Sequence, residues 1–475
     1  MEANVSKKHL LTASFAALVV SASPALAKEH HHHSNHDMHA QISELKAQVE
    51  ALTAQLNQIQ AASAEQAKSD GPKVYSGNDK LKLKLSGQVN RAMAYYDNGH
   101  NSQYKHVDNN ASDTRLNFTA EGKLNDNLTM GGTIEVEIPS ENSNTVGIGN
   151  GSATSNTVSL TERKMEVFAK SKYGNVWVGQ GETASHRVSD IDLTGTNAAQ
   201  EGGELESMAG GVQFWNNTTN AVDTYSGNST AALGTATALT STVGSYWQEM
   251  GSRRVDRVRY DTPTWYGFTV SASHATRDLT DYGLRYEGEF NKVKLVGAIG
   301  YAHNPFNNGS IKANGTAWGL SNVSRDEYGG SLFALFPIGI SIGGGYTGMN
   351  FDQANRDNGK LWHLKGGYQK NFFGIGNTCF AISYGQAKAM RAAFNTVAGG
   401  VITTTSGQVK TQNSEDMRIW GLYLNQQVEK LAADIYLAYQ HHKLDRDLYN
   451  AAGTTLVTQD IKPSNAVLLG ARVKF

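Results

Sequence analysis

The stretch NAVLLGARVKF, residues 465–475, carries the pattern that decides the predicted fold. Every second residue from Val467 to Phe475 is apolar, whereas Arg472 and Lys474 fall on the other parity. Successive side chains of a β-strand point to opposite faces, so this segment forms a strand with one apolar and one polar face. Such a strand is typical of a sheet that meets lipid on one side and water on the other.

The same alternation recurs from Lys80 onward. In one segment Leu116, Phe118 and Ala120 alternate with polar side chains. Segments of this kind are weak evidence singly and strong evidence together. The sixteen predicted strands cover residues 81–96, 113–123, 128–138, 161–170, 176–182, 252–262, 265–276, 281–290, 292–302, 325–336, 339–351, 360–370, 377–389, 413–427, 431–444 and 464–475.

The connectors between these strands alternate in length. Seven are short, as at 263–264 and 429–430, and eight are mostly longer, the longest covering about 70 residues after Gly181. Short turns at one end and longer loops at the other are what an even-numbered transmembrane barrel requires. The sequence therefore predicts an all-β fold, a 16-stranded antiparallel transmembrane β-barrel over residues 80–475, preceded by a short α-helical coiled coil.

Composition and charge agree with this class. Glycine is frequent at 49 of 475 residues, proline is rare at 7, and hydrophobic residues reach only 39%. Acidic and basic residues nearly balance, 43 against 42, which gives no reason to predict nucleic-acid binding. Cys379 is the only cysteine, so an internal disulfide is impossible, and we interpret it as a small wall-filling residue. No motif indicates a cofactor.

The first 27 residues are predicted to be a secretory signal peptide. Lys7 and Lys8 precede an apolar run from Leu10 to Val20, and residues 25–27 read Ala-Leu-Ala, a small-residue cleavage site. The apolar run is too short to cross a membrane as a helix. The mature chain is therefore expected to start at Lys28.

A histidine-rich segment, residues 28–40, follows the predicted cleavage site. Imidazole nitrogens bind Zn, Cu or Ni, although no spacing in this segment fixes a tetrahedral site. The alternative is a flexible polar tract that binds no metal. The six candidate metal ligands are His30, His31, His32, His33, His36 and His39.

Residues 41–68 are predicted to form a coiled coil, and residues 69–79 a linker. Ile42, Val49 and Leu56 occupy one core position of a heptad, and Leu45 and Leu52 begin the other. A single helix cannot bury this stripe alone. The prediction is self-association, and the alternative is a helix packed on its own barrel.

Three motifs resemble those of Gram-negative trimeric outer-membrane porins. They are LSGQVNR at 85–91, YGNVWVGQ at 173–180 and VRYDTP at 258–263, together with the closing Phe475. The resemblance covers about residues 80–475. It implies a homotrimer in the outer membrane with the N-terminal extension in the periplasm, passing small hydrophilic solutes and ions by passive diffusion. The implied partners are outer-membrane lipid, lipopolysaccharide and the barrel-assembly machinery, which would recognise Phe475 as an assembly signal.

In that family the segment after the fifth strand folds into the barrel and narrows the pore. The resemblance therefore implies an acidic face on the long connector and a basic face on the opposite wall, with a transverse field between them. The alternative is that these charges are solvated residues without a constriction role. The acidic candidates are Asp190, Asp192, Glu201, Glu204 and Glu206, and the basic candidates are Arg91, Arg115, Lys164, Arg257 and Arg259.

Two departures stand against this pattern. Arg91 falls on the lipid-facing parity of its strand, which requires a bulge near Gly87, a subunit interface or an inverted face. Family members often carry a Pro-Glu-Phe stretch in the connector, whereas residues 199–204 contain no proline. Residues 216–245 are rich in Asn, Thr and Gly and are interpreted as a second, surface-exposed excursion.

Other functions remain open on the sequence. A substrate-selective channel for carboxylates, other anions or metal ions is the main alternative to a general porin. An outer-membrane enzyme would need a nucleophile beside a histidine and a carboxylate, as near His274 with Asp278, or near His441 and His442 with Asp445. No nucleophile adjoins either group, so we predict no enzyme. An adhesin is the remaining alternative.

Overall fold

Sixteen strands close into an antiparallel ring in the computed structural model. The structure describes residues 73–74, 80–149, 160–226, 238–250, 254–305, 312–313, 316–317, 324–352, 357–390, 396–397, 400–401, 414–449 and 456–475. The barrel strands are β1 Lys82–Asp97, β2 Arg115–Asn125, β3 Leu128–Glu137, β4 Thr161–Ser171, β5 Gly174–Glu182, β6 Arg254–Asp261, β7 Phe268–Ala275, β8 Leu279–Phe290, β9 Val293–Asn304, β10 Arg325–Leu335, β11 Ile340–Phe351, β12 Gly359–Lys370, β13 Thr378–Lys388, β14 Ser414–Val428, β15 Ala433–Tyr449 and β16 Ser464–Lys474.

Each strand pairs with its neighbour along the chain, and β16 pairs with β1. The predicted 16-stranded antiparallel barrel is therefore confirmed, with each predicted segment overlapping one observed strand. Short strands extend the wall beside β1 and β15, at Ser102–Asp108 and Leu456–Gln459. The predicted linker contains the two-residue strand Lys73–Val74, which pairs with Lys84 and Leu83 of β1.

No helix in the described part of the chain has the length and apolar character needed to cross a membrane. The predicted signal peptide, histidine-rich segment and coiled coil lie outside the described residues.

Ring closure depends on the backbone of Gly87 and Phe475. Gly87 N donates to Phe475 O at 2.8 Å, and Phe475 N donates to Gly87 O at 3.0 Å. A Cβ placed on Gly87 would lie 2.8 Å from the Phe475 ring and 2.7 Å from the carbonyl oxygen of Arg115. Only glycine therefore allows the ring and the β2 backbone to approach this closely.

Gly87→Val is expected to weaken barrel closure. The added methyl groups meet the β2 backbone as well as the movable Phe475 ring, and overpacking of this kind costs about 1–3 kcal/mol. The measurement is the temperature at which the folded barrel unfolds in detergent. Gel electrophoresis reports it, because the unfolded chain migrates more slowly than the folded barrel. Gly366→Val is the matched control, since the nearest atom to a Cβ there is 3.8 Å away. Equal shifts in both variants would contradict the argument.

The two faces of the wall differ as the sequence predicts. In β1, Gln88 and Asn90 are buried on the inward side, whereas Val89 and Met93 on the outward side are 45% and 47% exposed. Tyr96 points inward, and its hydroxyl donates to Met208 O. An outward row near the extracellular strand ends, here called the outer aromatic belt, comprises Tyr282, Tyr301, Tyr328, Tyr346, Trp362, Tyr384, Trp420 and Tyr439.

Candidate functional site

The connector between β5 and β6 lies inside the barrel. Four residues of this connector are fully buried within the single chain: Ala184, Val188, Leu205 and Met208. The connector is hydrogen-bonded to inward-facing side chains of the barrel wall. It therefore lies against the wall, which covers these residues. Several polar side chains of the wall donate hydrogen bonds to connector carbonyl groups.

The first attachment is at β8 and β10. The buried Asp281 carboxylate accepts hydrogen bonds from Ser185 N at 2.8 Å and Ser185 Oγ at 2.6 Å. Ser331 Oγ donates to Val188 O at 2.7 Å and accepts from Ile191 N at 3.1 Å. These bonds fix the connector directly after it leaves β5.

The second attachment is a buried ion pair on β12. Lys365 Nζ lies 2.7 Å from Asp192 Oδ2, and both side chains are 0% exposed. The ammonium also donates to Gln200 O at 2.9 Å and to Gln200 Oε1 at 3.1 Å. Its three donors are thus matched by three acceptors, which satisfies a buried cation in full.

Further bonds reach β1, β11 and β14. Asn90 of β1 donates to Ala198 O, Asn425 of β14 donates to Gly195 O at 2.9 Å, and Met250 N donates to Thr347 of β11 at 2.9 Å. The connector is therefore bonded to β1, β8, β10, β11, β12 and β14.

The second excursion of the connector is partly buried, which corrects the surface-exposed interpretation. Asp223 pairs with Arg446 of β15 at 2.5 Å, with both side chains 1% exposed. Tyr246 accepts a second bond from Arg446 at 2.9 Å, and the Trp215 ring stacks on His100 at 3.5 Å between centroids. The pattern of apolar residues does not predict this burial, because the buried contacts are between polar residues that are far apart in the chain.

A charged cavity of about 130 Å³ lies between the connector and the wall of β2 to β6. Its lining carries five basic and five acidic side chains, so its formal charge is balanced. They are Arg115, Arg163, Lys164, Arg187, Arg254, Asp113, Glu135, Glu182, Glu201 and Glu204.

A β-bulge supplies two adjacent cations to this cavity. The register between β3 and β4 shifts between Glu135 and Val136, so that Lys164 and Arg163 both turn inward. Arg163 contacts three carboxylates, those of Asp113 at 2.7 Å, Glu135 at 2.7 Å and Glu137 at 3.0 Å. Strict alternation places Arg163 on the lipid face, which is why the sequence reasoning missed it.

Four of the five predicted basic residues face the lumen, and they separate into two groups. Arg115 and Lys164 line the cavity, and Lys164 pairs with Glu182 at 2.9 Å. Arg257 and Arg259 belong to wall networks instead: Arg257 donates to Gly179 O, and Arg259 pairs with Asp261 at 2.8 Å. The Arg115 side chain makes no hydrogen bond or ion pair within the described part of the chain.

Arg91 lies on the outward face, away from the cavity. β1 pairs with β2 and β16 without a register shift at Gly87, and the neighbouring Asn90 faces inward, so neither a bulge nor an inverted face applies. The guanidinium donates to Ser140 O at 2.5 Å and lies 3.9 Å from Asp108. The subunit interface, the third explanation for Arg91, stays a prediction.

The predicted acidic residues are also divided. Glu201 and Glu204 line the cavity, whereas Asp192 is held by Lys365. Arg187, a base of the connector itself, contacts both Asp190 and Glu201. Glu206 is 8% exposed, and one of its carboxylate oxygens has no hydrogen-bond partner within the described residues.

Burial changes the charge states of the connector. It raises the pKa of Glu204 well above its usual range, and the Asp190 carboxylate adds to the effect. Burial lowers the pKa of His186 well below its usual range, although Glu182 opposes this. Burial also disfavours the charged form of Arg187, but Asp190 and Glu201 outweigh it and raise the pKa. His186 is therefore neutral at neutral pH, and Arg187 remains charged.

The histidines considered for an enzyme have hydroxyl or amide partners in the structure. His274 contacts Thr280 at 2.9 Å, and His441 contacts Asn465 at 2.9 Å. His442 lies between Gln440 and Ser464.

A closed barrel with an apolar exterior and a polar lumen crossed by one connector defines the class of outer-membrane channels. The sequence matches the Gram-negative porin family over residues 14–447. The chain therefore belongs to that family, and its location is the outer membrane. The family is one of channels.

Solved structures with a similar fold include three proteins that are each covered over 100% of their length. The anion-selective porin from Comamonas acidovorans is 15% identical over 83% of this chain, with a TM-score of 0.49. OmpT, an outer membrane protein of Vibrio cholerae, is 13% identical over 85%, with a TM-score of 0.48. OmpF of Salmonella typhi, in complex with daunomycin, is 13% identical over 85%, with a TM-score of 0.43. No curated protein matches the sequence.

Proposed function

We propose that this porin passes small hydrophilic solutes and ions by passive diffusion and that the connector after β5 narrows its channel. The observation that carries the proposal is the charged cavity between the connector and the wall. A narrow, water-filled passage lined by fixed charges limits solute size and biases the ions that enter.

Arg115 and Glu204 give this passage its polarity. Most other lining charges are neutralised by near partners, such as Arg163 by three carboxylates and Lys164 by Glu182. Arg115 on the wall and Glu204 on the connector have no ion pair within the described residues. Because burial raises the pKa of Glu204 well above its usual range, the standing charge of this passage rests mainly on Arg115, and Glu204 adds a negative charge only when it is deprotonated.

Selectivity for anions, including carboxylates, is the second candidate. An unpaired guanidinium offers several N–H donors in a planar fork that suits a carboxylate. Arg115 is the observation that favours it, because its donors remain available to a solute.

Planar-bilayer recording of the purified full-length protein tests the proposal. We expect stepwise openings with weak ion selectivity and no saturation by any one solute. Saturable block by one carboxylate would favour the selective channel. Absence of conductance from correctly folded protein would overturn the porin function.

We further propose a homotrimer whose contacts involve the wall from β3 to β7. In the extracellular halves of these five strands no outward-facing aromatic residue occurs among the described positions, so the outer aromatic belt is interrupted there. Belt aromatics mark contact with the lipid interface, so a gap indicates protein contact. Arg91 at the neighbouring β1 wall fits an interface better than lipid.

Conductance steps in threes, together with the mass of the complex in detergent, test this assembly. Deletion of residues 28–70 separates the role of the predicted coiled coil. Trimers that persist unchanged would make the coiled coil dispensable for assembly. Zinc titration of the full-length protein and of the deletion variant tests metal binding by the histidine-rich segment.

Phe475 is proposed as the signal for the barrel-assembly machinery, and its deletion is expected to lower the amount of inserted barrel.

A further inference from the structure

Three carboxylates of the connector converge beside the charged cavity. Asp190, Glu201 and Glu204 each place one carboxylate oxygen within 4.8 Å of those of the other two. Two oxygens that bind one Ca²⁺ ion from opposite sides lie about 4.6–5.2 Å apart, since each Ca–O bond is about 2.3–2.6 Å long. One ion of this size can therefore contact all three carboxylates. We call these three residues the acidic cluster.

The acidic cluster holds more negative charge than the chain itself neutralises. Arg187 is its ion-pair partner within the described residues: the guanidinium donates to Asp190 Oδ2 at 2.8 Å and contacts Glu201. Three ionised carboxylates against one guanidinium leave a charge of −2. A buried charge of this size requires a compensating cation or protonation. One divalent cation balances it.

The backbone around the acidic cluster is fixed by hydrogen bonds. Asp190 Oδ1 accepts from Gly203 N at 2.5 Å and from Glu204 N at 3.3 Å. The indole Nε1 of the buried Trp247 donates to Gly203 O at 2.7 Å. The segment that carries Glu201 and Glu204 is thus bonded to Asp190 on one side and to Trp247 on the other. The three carboxylates are therefore held together by the chain without an ion.

A buried histidine without partners faces the same segment. His363 of β12 is 1% exposed, and neither of its ring nitrogens has a hydrogen-bond partner within the described residues. A Cβ placed on Gly203 would lie 2.9 Å from His363 Cε1 and 3.3 Å from Nδ1. This edge of the imidazole is therefore directed at the segment between Glu201 and Glu204. Buried ring nitrogens normally bind protein or water, so two free ones indicate a further partner such as the water shell of an ion.

A fourth connector carboxylate has a free acceptor in the same region. Glu206 is 8% exposed, and its Oε2 has no hydrogen-bond partner in the part of the chain that the structure describes. The carboxylate interacts electrostatically with those of Glu249 and Glu204, which carry the same sign of charge. Like charges gathered in a buried place repel one another, and a cation among them relieves the repulsion.

The donor set selects the class of cation. Carboxylate oxygens suit hard ions such as Ca²⁺ and Mg²⁺, whereas Zn²⁺ and Cu²⁺ favour sites that include nitrogen or sulfur. Ca²⁺ tolerates irregular geometry, while Mg²⁺ demands a near-ideal octahedron with bonds of about 2.0–2.1 Å. Glu201 and Glu204 line the charged cavity, so an ion reaches them from the lumen.

We propose that the acidic cluster binds one divalent cation of the Ca²⁺ class. Asp190, Glu201 and Glu204 supply the oxygen ligands, water fills the remaining positions, and His363 hydrogen-bonds to that water. Binding itself does not depend on conduction. Its consequence for transport rests on the proposed function: a bound cation makes the connector side of the passage less negative, so relative permeability shifts toward anions.

The test measures binding of Ca²⁺ and of Tb³⁺, which replaces Ca²⁺ at oxygen sites, to full-length protein in detergent at mildly alkaline pH. Tb³⁺ emits when an excited indole lies close to it, and the bond from Trp247 to Gly203 places an indole beside the acidic cluster. We expect saturable Tb³⁺ emission on indole excitation and its displacement by Ca²⁺. Equilibrium dialysis with Ca²⁺ alone is expected to give one such site per chain.

The variant is Glu201→Gln/Glu204→Gln, which keeps side-chain size and removes two charges. We expect its Ca²⁺ affinity to fall by roughly tenfold or more, because the affinity of an oxygen site depends on the charge of its ligands. Glu287→Gln/Glu289→Gln is the matched control, since it removes two exposed carboxylates of β8 and is expected to bind as wild type does. If the double variant does not fold, Glu204→Gln takes its place, because Glu204 has no ion pair within the described residues.

Three results would overturn the proposal: no saturable Ca²⁺ binding by wild type, equal affinity in the folded cluster variant, or Tb³⁺ emission that persists in folded Trp247→Phe. Reversal potentials with and without Ca²⁺ then test the consequence for transport, with a shift toward anions expected in wild type and not in the cluster variant. Protein that binds Ca²⁺ but does not conduct would contradict only the porin function. Protein that conducts but binds no Ca²⁺ would contradict only this inference.

Discussion

Lys365→Met is expected to release the connector from the wall and to raise single-channel conductance. The substitution leaves the Asp192 carboxylate in a fully buried position without its cation, and it removes two bonds to Gln200. Breaking one side of a buried ion pair costs about 3–5 kcal/mol. The connector relieves this cost by moving Asp192 toward water, which opens the lumen.

Planar-bilayer recording measures the effect as larger and noisier openings. Lys370→Met on the same strand is the matched control, because that lysine is exposed at the strand end. The double variant Lys365→Met/Asp192→Leu replaces the pair by apolar groups and is expected to return conductance toward wild type. Unchanged conductance in the single variant would show that this ion pair does not hold the connector.

Arg115→Gln is expected to shift ion selectivity toward cations. The side chain lines the charged cavity and has no partner within the described residues, so its charge acts on permeating ions directly. A unit charge about 6 Å from an ion in water contributes about 0.7 kcal/mol, or roughly a threefold change in relative permeability. Arg115→Glu reverses the charge and is expected to double the free-energy change.

Reversal potentials in a salt gradient measure this shift, and low ionic strength enlarges it. Lys388→Gln is the matched control, since Lys388 has the same charge on the outward face and its side chain is 55% exposed. A shift of equal size in the control would mean that net charge, rather than position, sets the selectivity. No shift in Arg115→Gln would remove Arg115 from the proposed field.

The wall was predictable because strand alternation is a local property. Each residue's side is set by its neighbours in sequence, and lipid on one side makes the pattern regular over all sixteen strands. The pairing of the last strand with the first followed from the even strand number. The same alternation correctly placed Arg91 on the outward face.

The lumen was less predictable because its contacts join distant residues. Arg163 was missed, since a bulge moves it to the inner face without a local signal. Arg187 was missed because the resemblance assigns acids to the connector and bases to the wall, whereas here the connector neutralises its own Asp190 and Glu201. The partners of Asp192 and Asp223, Lys365 and Arg446, are more than 170 positions away.

The connector bonds that cross the lumen also have a mechanical consequence. A hollow ring of strands can flatten into an ellipse. Nothing inside such a ring opposes the inward movement of one wall toward the other. Attachments at Asp281, Lys365, Asn425 and Asn90 act as spokes between different sides of the ring. Any flattening would have to stretch several of these buried bonds together. The cross-section of this barrel is therefore expected to stay constant under lateral pressure from the surrounding membrane.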